Sequence, residues 1–220
     1  MTVRATRRRW TISSLSEARH SLGSRLCLDF VNLSLVSGQL HAHAPAWDDL
    51  IDFLAAKRIL SEDRTEHMRN LPASDVRAAE ALMRHAEDLS SALRQCFRAL
   101  LKGQKIAREW TEPINRILRV TEGHDELEWN GTAWRLGFRA REEGLEWLLA
   151  AIARSGAELI VEKPAGSLRQ CANPSCEILF YDGSRTQRRR WCSMALCGNR
   201  SKVATFARRH GREKTRAHHA

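Results

Sequence analysis

Four cysteines in the last quarter of the sequence form two pairs with identical spacing. Four residues separate Cys171 from Cys176, and four separate Cys192 from Cys197. Two short loops of this kind can bring four sulfurs to one ion, and four thiolates in a tetrahedral arrangement are a common structural zinc site. Because protein fills all four positions, such a site has no open position for a substrate. The spacing therefore predicts one structural Zn²⁺ held by these four cysteines.

Disulfides and free thiols are the alternatives to a metal site. Disulfides persist in oxidising compartments, and after the basic stretch at 7–10 the N-terminal region contains no apolar run of signal-peptide length. No window approaches the roughly 18 apolar residues that a membrane span requires. We therefore expect a cytoplasmic protein with reduced thiols and no membrane association. Cys27 and Cys96 lie in apolar surroundings, which predicts buried thiols.

The net charge of the chain is confined to the segment that contains the paired cysteines. Residues 163–220 contain 13 Lys or Arg and 3 Asp or Glu, which gives +10, whereas residues 1–162 contain 23 of each sign. Four thiolates on one Zn²⁺ would leave this segment at about +8. Such one-sided charge indicates a polyanionic partner, most simply nucleic acid. A general solubility role would explain the net charge but not its confinement.

Basic residues around the second cysteine pair are the candidate contacts to nucleic acid. Arginine outnumbers lysine among them, and its planar guanidinium suits bidentate contact with phosphate or guanine edges. For any single arginine a structural or solvated role is an equal alternative, and Arg190 and Arg200 could instead donate N–H groups to the cysteine sulfurs. The candidates are Arg185, Arg188, Arg189, Arg190, Arg200, Lys202, Arg208 and Arg209.

The hydrophobic pattern predicts how a zinc module would position these residues. Residues 177–181 and 188–191 are predicted to form the arms of a β-hairpin across Asp182-Gly183. Apolar residues recur with helical spacing after the last cysteine, which predicts a helix over 197–210. The result would be a small module of the treble-clef or zinc-ribbon type, and its folding would depend on metal binding.

The residues before the zinc module are predicted to be mostly helical. Apolar periodicity predicts a helix from Trp47, a long helix that has Ser74 as its N-cap and ends at Gly103, and shorter helices near 110–118 and 145–156. The long helix is expected to form the centre of the domain core.

Two short β elements are also predicted in this region. Asn130-Gly131 supplies the positive φ angles of a type I′ turn, which predicts a hairpin of residues 126–129 and 132–138; residues 158–161 are predicted as a short strand. The fold class is therefore α+β: a mainly α-helical N-terminal domain with a small β-hairpin, and a small C-terminal treble-clef or zinc-ribbon-like zinc module. The predicted order is a basic flexible N-terminus at 1–20, a helical domain at 21–162, the zinc module at 163–210 and a basic tail at 211–220.

Asp29 and Asn32 are polar residues within the apolar stretch LCLDFVNLSLV at 26–36. In a helix they lie three positions apart on one face, whereas in a strand they point to opposite sides. One hypothesis makes them ligand contacts in a pocket between helices. The alternative makes them structural, with Asp29 as a cap or as the partner of a buried arginine such as Arg25.

Two segments of the chain resemble known families. The segment 168–210, with FYDGS, RRRWCS and especially the run Cys197-Gly-Asn-Arg200, resembles the CGNR zinc finger. The motif LCLDFVN at 26–32 resembles the opening of the ABATE domain, which precedes that finger in bacterial stress-induced transcription regulators. The resemblance implies a DNA-binding transcription regulator whose N-terminal domain senses or binds a ligand.

Three functional hypotheses follow. The chain is a regulator that binds double-stranded DNA and is modulated by a small ligand; or its zinc module binds RNA or another protein; or it is an enzyme with an appended zinc module. The last is disfavoured because the sequence has no glycine-rich phosphate loop and no nucleophile with an evident base. We therefore expect a non-enzymatic regulator associated with the bacterial nucleoid. A homodimer through the long apolar helix would match palindromic sites.

Overall fold

The computed structural model describes residues 22–36, 46–120, 123–129, 132, 134–140, 144–163 and 166–203. These residues contain mostly helices, with two antiparallel strand pairs and connecting turns, which confirms the predicted fold class. The helices are α1 (Leu26–Val31), α2 (Leu33–Val36), α3 (Trp47–Ala56), α4 (Glu62–Ser74), α5 (Val76–Leu101), α6 (Glu112–Val120) and α7 (Ala150–Glu162). The strands are β1 (Gly123–Trp129) paired with β2 (Trp134–Ala140), and β3 (Leu168–Gln170) paired with β4 (Leu179–Tyr181).

Helix α5 is the centre of the hydrophobic core. Its 26 residues span about 39 Å, and its apolar face is buried against α1, α4, α6 and α7. Gly103, at φ +63°, lies just beyond its end as predicted. The apolar face of α5 is occupied within the chain, so this face is not available for the homodimer contact predicted from the sequence.

The start of α5 differs from the prediction by one residue. Asp75, not Ser74, is the N-cap, because its carboxylate accepts a hydrogen bond from the Ala78 N–H at 3.0 Å. Ser74 instead ends α4, which the sequence analysis missed because this helix buries few apolar residues and contains Pro72. Proline cannot donate to the carbonyl of Met68, and the Trp47 indole N–H donates to that carbonyl instead, at 3.1 Å.

Two predictions about α7 are wrong for the same reason. The helix continues through Gly156 to Glu162, so residues 158–161 are helical and not a strand. Gly156 lies where α7 crosses α5: a Cβ at this position would approach Leu93 Cδ2 to 2.2 Å. The glycine allows two helices to pack closely and does not end a helix.

The hairpin of β1 and β2 is present, but its connection is longer than predicted. Trp129 pairs with Trp134, so four residues join the strands, whereas a two-residue turn would pair Trp129 with Thr132. Asn130 and Gly131 lie outside the described residues. The two tryptophan rings are 5.5 Å apart at the end of the ribbon, and both are exposed.

The zinc module packs directly on the helical part of the chain. The Asn32 side chain donates to the Leu179 carbonyl at 2.7 Å and accepts from the Leu179 N–H at 3.0 Å, so one amide pairs with the backbone of β4 as a neighbouring strand would. The Tyr181 N–H donates to the Gly23 carbonyl at 2.8 Å, and Leu168 and Leu179 are buried in the main core. Among the described helices, none is both long and apolar enough to cross a membrane.

We expect Asn32→Ala to lower the free energy of unfolding by about 2–4 kcal/mol, because it leaves the buried N–H and carbonyl of Leu179 without partners. Chemical unfolding of the zinc-loaded protein measures this change. Asn70→Ala is the matched control: Asn70 is exposed and its side chain donates to the Glu66 carbonyl at 3.1 Å, so its loss should cost less than about 0.5 kcal/mol. Equal effects of the two substitutions would contradict the docking role of Asn32.

Candidate metal centre and nucleic-acid interface

The sulfurs of Cys171, Cys176, Cys192 and Cys197 all lie within 4.8 Å of one another. The Sγ atoms of Cys176 and Cys192 are 3.9 Å apart, and those of Cys192 and Cys197 are 3.6 Å apart. A tetrahedral zinc with Zn–S bonds of about 2.3 Å places its sulfurs about 3.8 Å apart, whereas a disulfide needs about 2.05 Å. The four sulfurs are therefore placed to hold one metal ion, and all four are free thiols with separations too long for disulfide bonds.

Backbone turns hold each cysteine pair. In the first loop, Asn173 accepts from the Cys176 N–H at 2.9 Å through its carbonyl and from the Ser175 N–H at 3.2 Å through its side chain. In the second, the wide turn Met194–Gly198 directs the N–H groups of Cys197 and Gly198 to one carbonyl, that of Ser193. A helix continues from this turn to Val203, so Cys197 lies inside the first turn; residues 204–210 of the predicted helix lie outside the described residues.

Neighbouring N–H groups point at the sulfurs. The Asn173 side chain donates to Cys197 Sγ at 3.4 Å, and the Cys192 N–H donates to Cys171 Sγ at 3.5 Å. Such donors stabilise thiolates and orient metal ligands. Arg190 and Arg200 were the alternative candidates for this role, and the structure gives neither an N–H···S hydrogen bond among the described residues.

The thiol pKa values differ within the cysteine cluster: that of Cys176 is lowered, whereas that of Cys192 is raised by its hydrogen bond with Cys176. The hydrogen bond with Cys192 lowers the pKa of the Cys176 thiol to about 5, so a thiolate, the ligating form, is favoured at this position. Burial raises the pKa of Cys171. Burial also raises the pKa of both Cys27 and Cys96 to about 11, and both thiols are fully buried, as predicted.

Asp182 organises the loop between the two cysteine pairs. One carboxylate oxygen accepts from the Ser184 hydroxyl at 2.6 Å and from its N–H at 3.2 Å, and the other accepts from the Arg189 N–H at 2.7 Å. The hydrogen bond from Ser184 lowers the pKa of Asp182. The predicted hairpin of 177–181 with 188–191 is therefore wrong: the buried carboxylate turns the chain, and β4 pairs with the earlier strand β3.

Arg189 is turned inward, although it was among the predicted contacts to nucleic acid. Its guanidinium lies 4.4 Å from the centre of the Phe180 ring and donates to the Trp191 carbonyl at 2.9 Å and to the Cys192 carbonyl. It also donates to the Ser24 hydroxyl at 3.2 Å and to the Leu22 carbonyl at 3.4 Å. Arg189 therefore joins the metal module to the segment before α1.

The other predicted basic contacts with a described structure face solvent. Among the described residues, no carboxylate lies within 4 Å of any of these side chains, and they carry uncompensated positive charge. The guanidinium of Arg190 lies 5.2 Å from the centre of the Trp191 ring. Arg208 and Arg209 lie outside the described residues. The exposed set consists of Arg185, Arg188, Arg190, Arg200 and Lys202.

Asp29 and Asn32, the predicted ligand contacts, are 5% and 1% exposed and make their contacts within the chain. Asp29 accepts from the Gly23 N–H at 2.6 Å and forms an ion pair with Lys57 at 2.7 Å, while burial raises its pKa. Arg25, the partner that the structural alternative suggested, pairs with Glu162 at 3.0 Å instead. Lys57 was not predicted as the partner of Asp29, because the two residues are 28 positions apart and no local sequence pattern connects them.

Comparison with family models agrees with both resemblances. Residues 167–210 match the model of the CGNR zinc finger. Residues 24–163 match the ABATE model, described as "Putative stress-induced transcription regulator". None of the curated proteins matches the sequence.

We expect Cys192→Ser to weaken zinc binding by at least about a hundredfold, because the variant loses one of four thiolates. Metal analysis of the purified, gel-filtered protein measures the zinc content. Cys96→Ala is the matched control, since this thiol is equally buried but lies in α5 away from the metal site, and it should keep its zinc. A variant at position 192 that retains stoichiometric zinc would contradict the four-sulfur site.

We expect Asp182→Asn to lower the free energy of unfolding by about 2 kcal/mol at pH 7, because an amide cannot accept from both Ser184 and Arg189. A carboxyl with a lowered pKa stabilises the fold above its ordinary pKa, and this stabilisation is lost as the pH falls through the folded pKa. The difference between wild type and variant should therefore shrink on acidification. Asp88→Asn, which breaks an exposed ion pair with Arg116, is the control and should cost less than about 1 kcal/mol.

Proposed function

We infer the function from two findings: the chain belongs to the ABATE family, since that model covers more than half of it, and it contains a CGNR zinc finger. We propose that it is a transcription regulator that binds double-stranded DNA through the zinc module. The helical domain carries the module and supplies the site for a modulating ligand.

The uncompensated charge around the metal site is the observation that carries this proposal. Five basic side chains are exposed, three between the two cysteine pairs and two just after Cys197, and four of the five are arginines. Charges that are not offset by carboxylates attract the phosphate backbone, and release of its counterions favours binding. Arginine in addition permits bidentate contact with phosphate or with the major-groove edge of guanine.

The metal site would fix the geometry of this surface. Zn²⁺ held by the four cysteines would join the two loops, because neither loop buries enough apolar area to hold its shape alone. Asn32 and Arg189 then hold the module against the helical domain. We propose that the exposed arginines contact the phosphate backbone of the DNA and that one or two of them enter a groove of the duplex.

The burial of the aromatic side chains in the module favours DNA over single-stranded RNA as the partner. Single-stranded RNA is typically recognised by bases stacked on exposed aromatic rings. Phe180 is fully buried under Arg189, and Tyr181 is half-buried with the Arg25 guanidinium 4.5 Å from its ring centre. Trp191 is likewise half-buried, with the Arg190 guanidinium 5.2 Å from its ring centre, so none of the described aromatic rings of the module is fully exposed.

We propose a regulatory role without enzymatic activity, because four protein thiolates fill a zinc coordination shell and leave no position for substrate. The setting proposed is the bacterial cytoplasm, where the thiols stay reduced and the nucleoid supplies the duplex.

We expect Arg188→Ala and Arg190→Ala each to weaken binding to duplex DNA by about fivefold and to reduce the slope of log affinity against log salt by about 0.9. Titration of zinc-loaded protein with random and genomic duplexes and with single-stranded RNA measures both quantities. Arg77→Ala is the matched control: Arg77 is exposed at the start of α5, about 36 Å from the end that meets the module, and should change neither quantity.

For wild type, contact with six phosphates gives a slope of about −5 with duplex DNA. A weak, salt-independent response to every nucleic acid would contradict the proposal and would make the module a protein-interaction surface.

A further inference from the structure

A cleft of about 1000 Å³ lies between the helical domain and the zinc module. One wall is formed by the end of α5 and the segment after it, residues 100–106, and a second by the end of α7. The opposite wall is formed by β3 and the first cysteine loop. The cleft is large enough for a small organic ligand, and both parts of the chain line it.

The charged side chains that line this cleft are all basic. Arg169 is offset by Asp182, 3.6 Å away. Lys105, Lys163 and Arg190 have no carboxylate within 4 Å among the described residues. Since no acidic side chain lines the cleft, its field favours an anion.

The remaining walls are apolar. Leu100, Leu101 and Ile106 contribute from the helical end, and Ile160 and Leu168 contribute from the other two walls. A bare phosphate or a DNA backbone would leave these side chains in contact with water. An apolar body placed there would remove their surface from water and gain roughly 25 cal/mol per Å² buried.

We propose that this cleft binds a small organic anion, with an apolar body on the leucine and isoleucine side chains and a carboxylate or phosphate group between Lys105, Lys163 and Arg190. This inference names the ligand class for the sensor part of the proposed function and rests on that function. A ligand that touches both walls favours the arrangement in which the module is docked on the helical domain.

Calorimetric titration of the zinc-loaded full chain with 2-naphthoate tests the proposal. We expect 2-naphthoate to bind at least about tenfold more tightly than its neutral analogue 2-naphthalenemethanol and than inorganic phosphate, because each of these lacks one of the two required features. Lys105→Glu should weaken 2-naphthoate binding by about tenfold. The matched control is Lys102→Glu, which makes the same charge change three residues earlier on a side chain that does not line the cleft; it should change binding by less than about twofold.

Equal binding of all three probes, or equal effects of the two lysine substitutions, would overturn the proposal. It would also be overturned if Lys105→Glu weakened duplex DNA binding as much as Arg190→Ala does, since the cleft would then belong to the nucleic-acid surface. Because the 2-naphthoate titration contains no nucleic acid, failure of DNA binding and failure of this ligand site give separate results.

Discussion

The convergence of four cysteine sulfurs on one point is the constraint on which the rest of the C-terminal structure depends. The metal-holding segment has a small core of its own, formed by the cysteines together with Leu22, Ile178 and Phe180. A core of this size does not hold a fold, and structural zinc supplies on the order of 10 kcal/mol in comparable modules. A metal ion on the four sulfurs would therefore link the two cysteine loops, and with them the Asp182 loop that lies between the pairs.

The metal alone does not explain where the module sits, because a second set of contacts holds it against the helical domain. The Asn32 amide binds the backbone of β4, and the Arg189 guanidinium reaches back to residues 22–24. Asn32 was a candidate contact to a small ligand and Arg189 a candidate contact to nucleic acid, but in the structure both side chains bind other parts of the chain. Under the proposed function, a basic surface held at a fixed orientation would bind with less loss of conformational freedom. A ligand between the two parts would favour that orientation.

The features of the structure that could be predicted from the sequence are those that depend on residues close together in the chain. The cysteine spacing predicted the metal site, and the apolar periodicity of α5 predicted the core helix, since both depend on neighbours within a few residues. Other features depend on residues that are distant in the sequence, and no local pattern predicts them. Gly156 lets α7 cross α5 at Leu93, and Pro72 leaves a carbonyl that the Trp47 indole satisfies. Asp182 closes its loop onto the Arg189 N–H. A glycine or a proline signals a break only when no tertiary contact compensates for it.

Hydrogen exchange of zinc-loaded and metal-stripped protein is the most direct test of the claim that metal site and helical domain form one coupled unit. The account predicts that metal removal accelerates amide exchange in 166–182 and, to a comparable extent, in the segment 22–32 that receives β4 and Arg189. Exchange in α4, which lies away from the module, should stay unchanged. Acceleration confined to 166–203 would contradict the account, because it would mean that the module folds and unfolds independently of the domain that carries it.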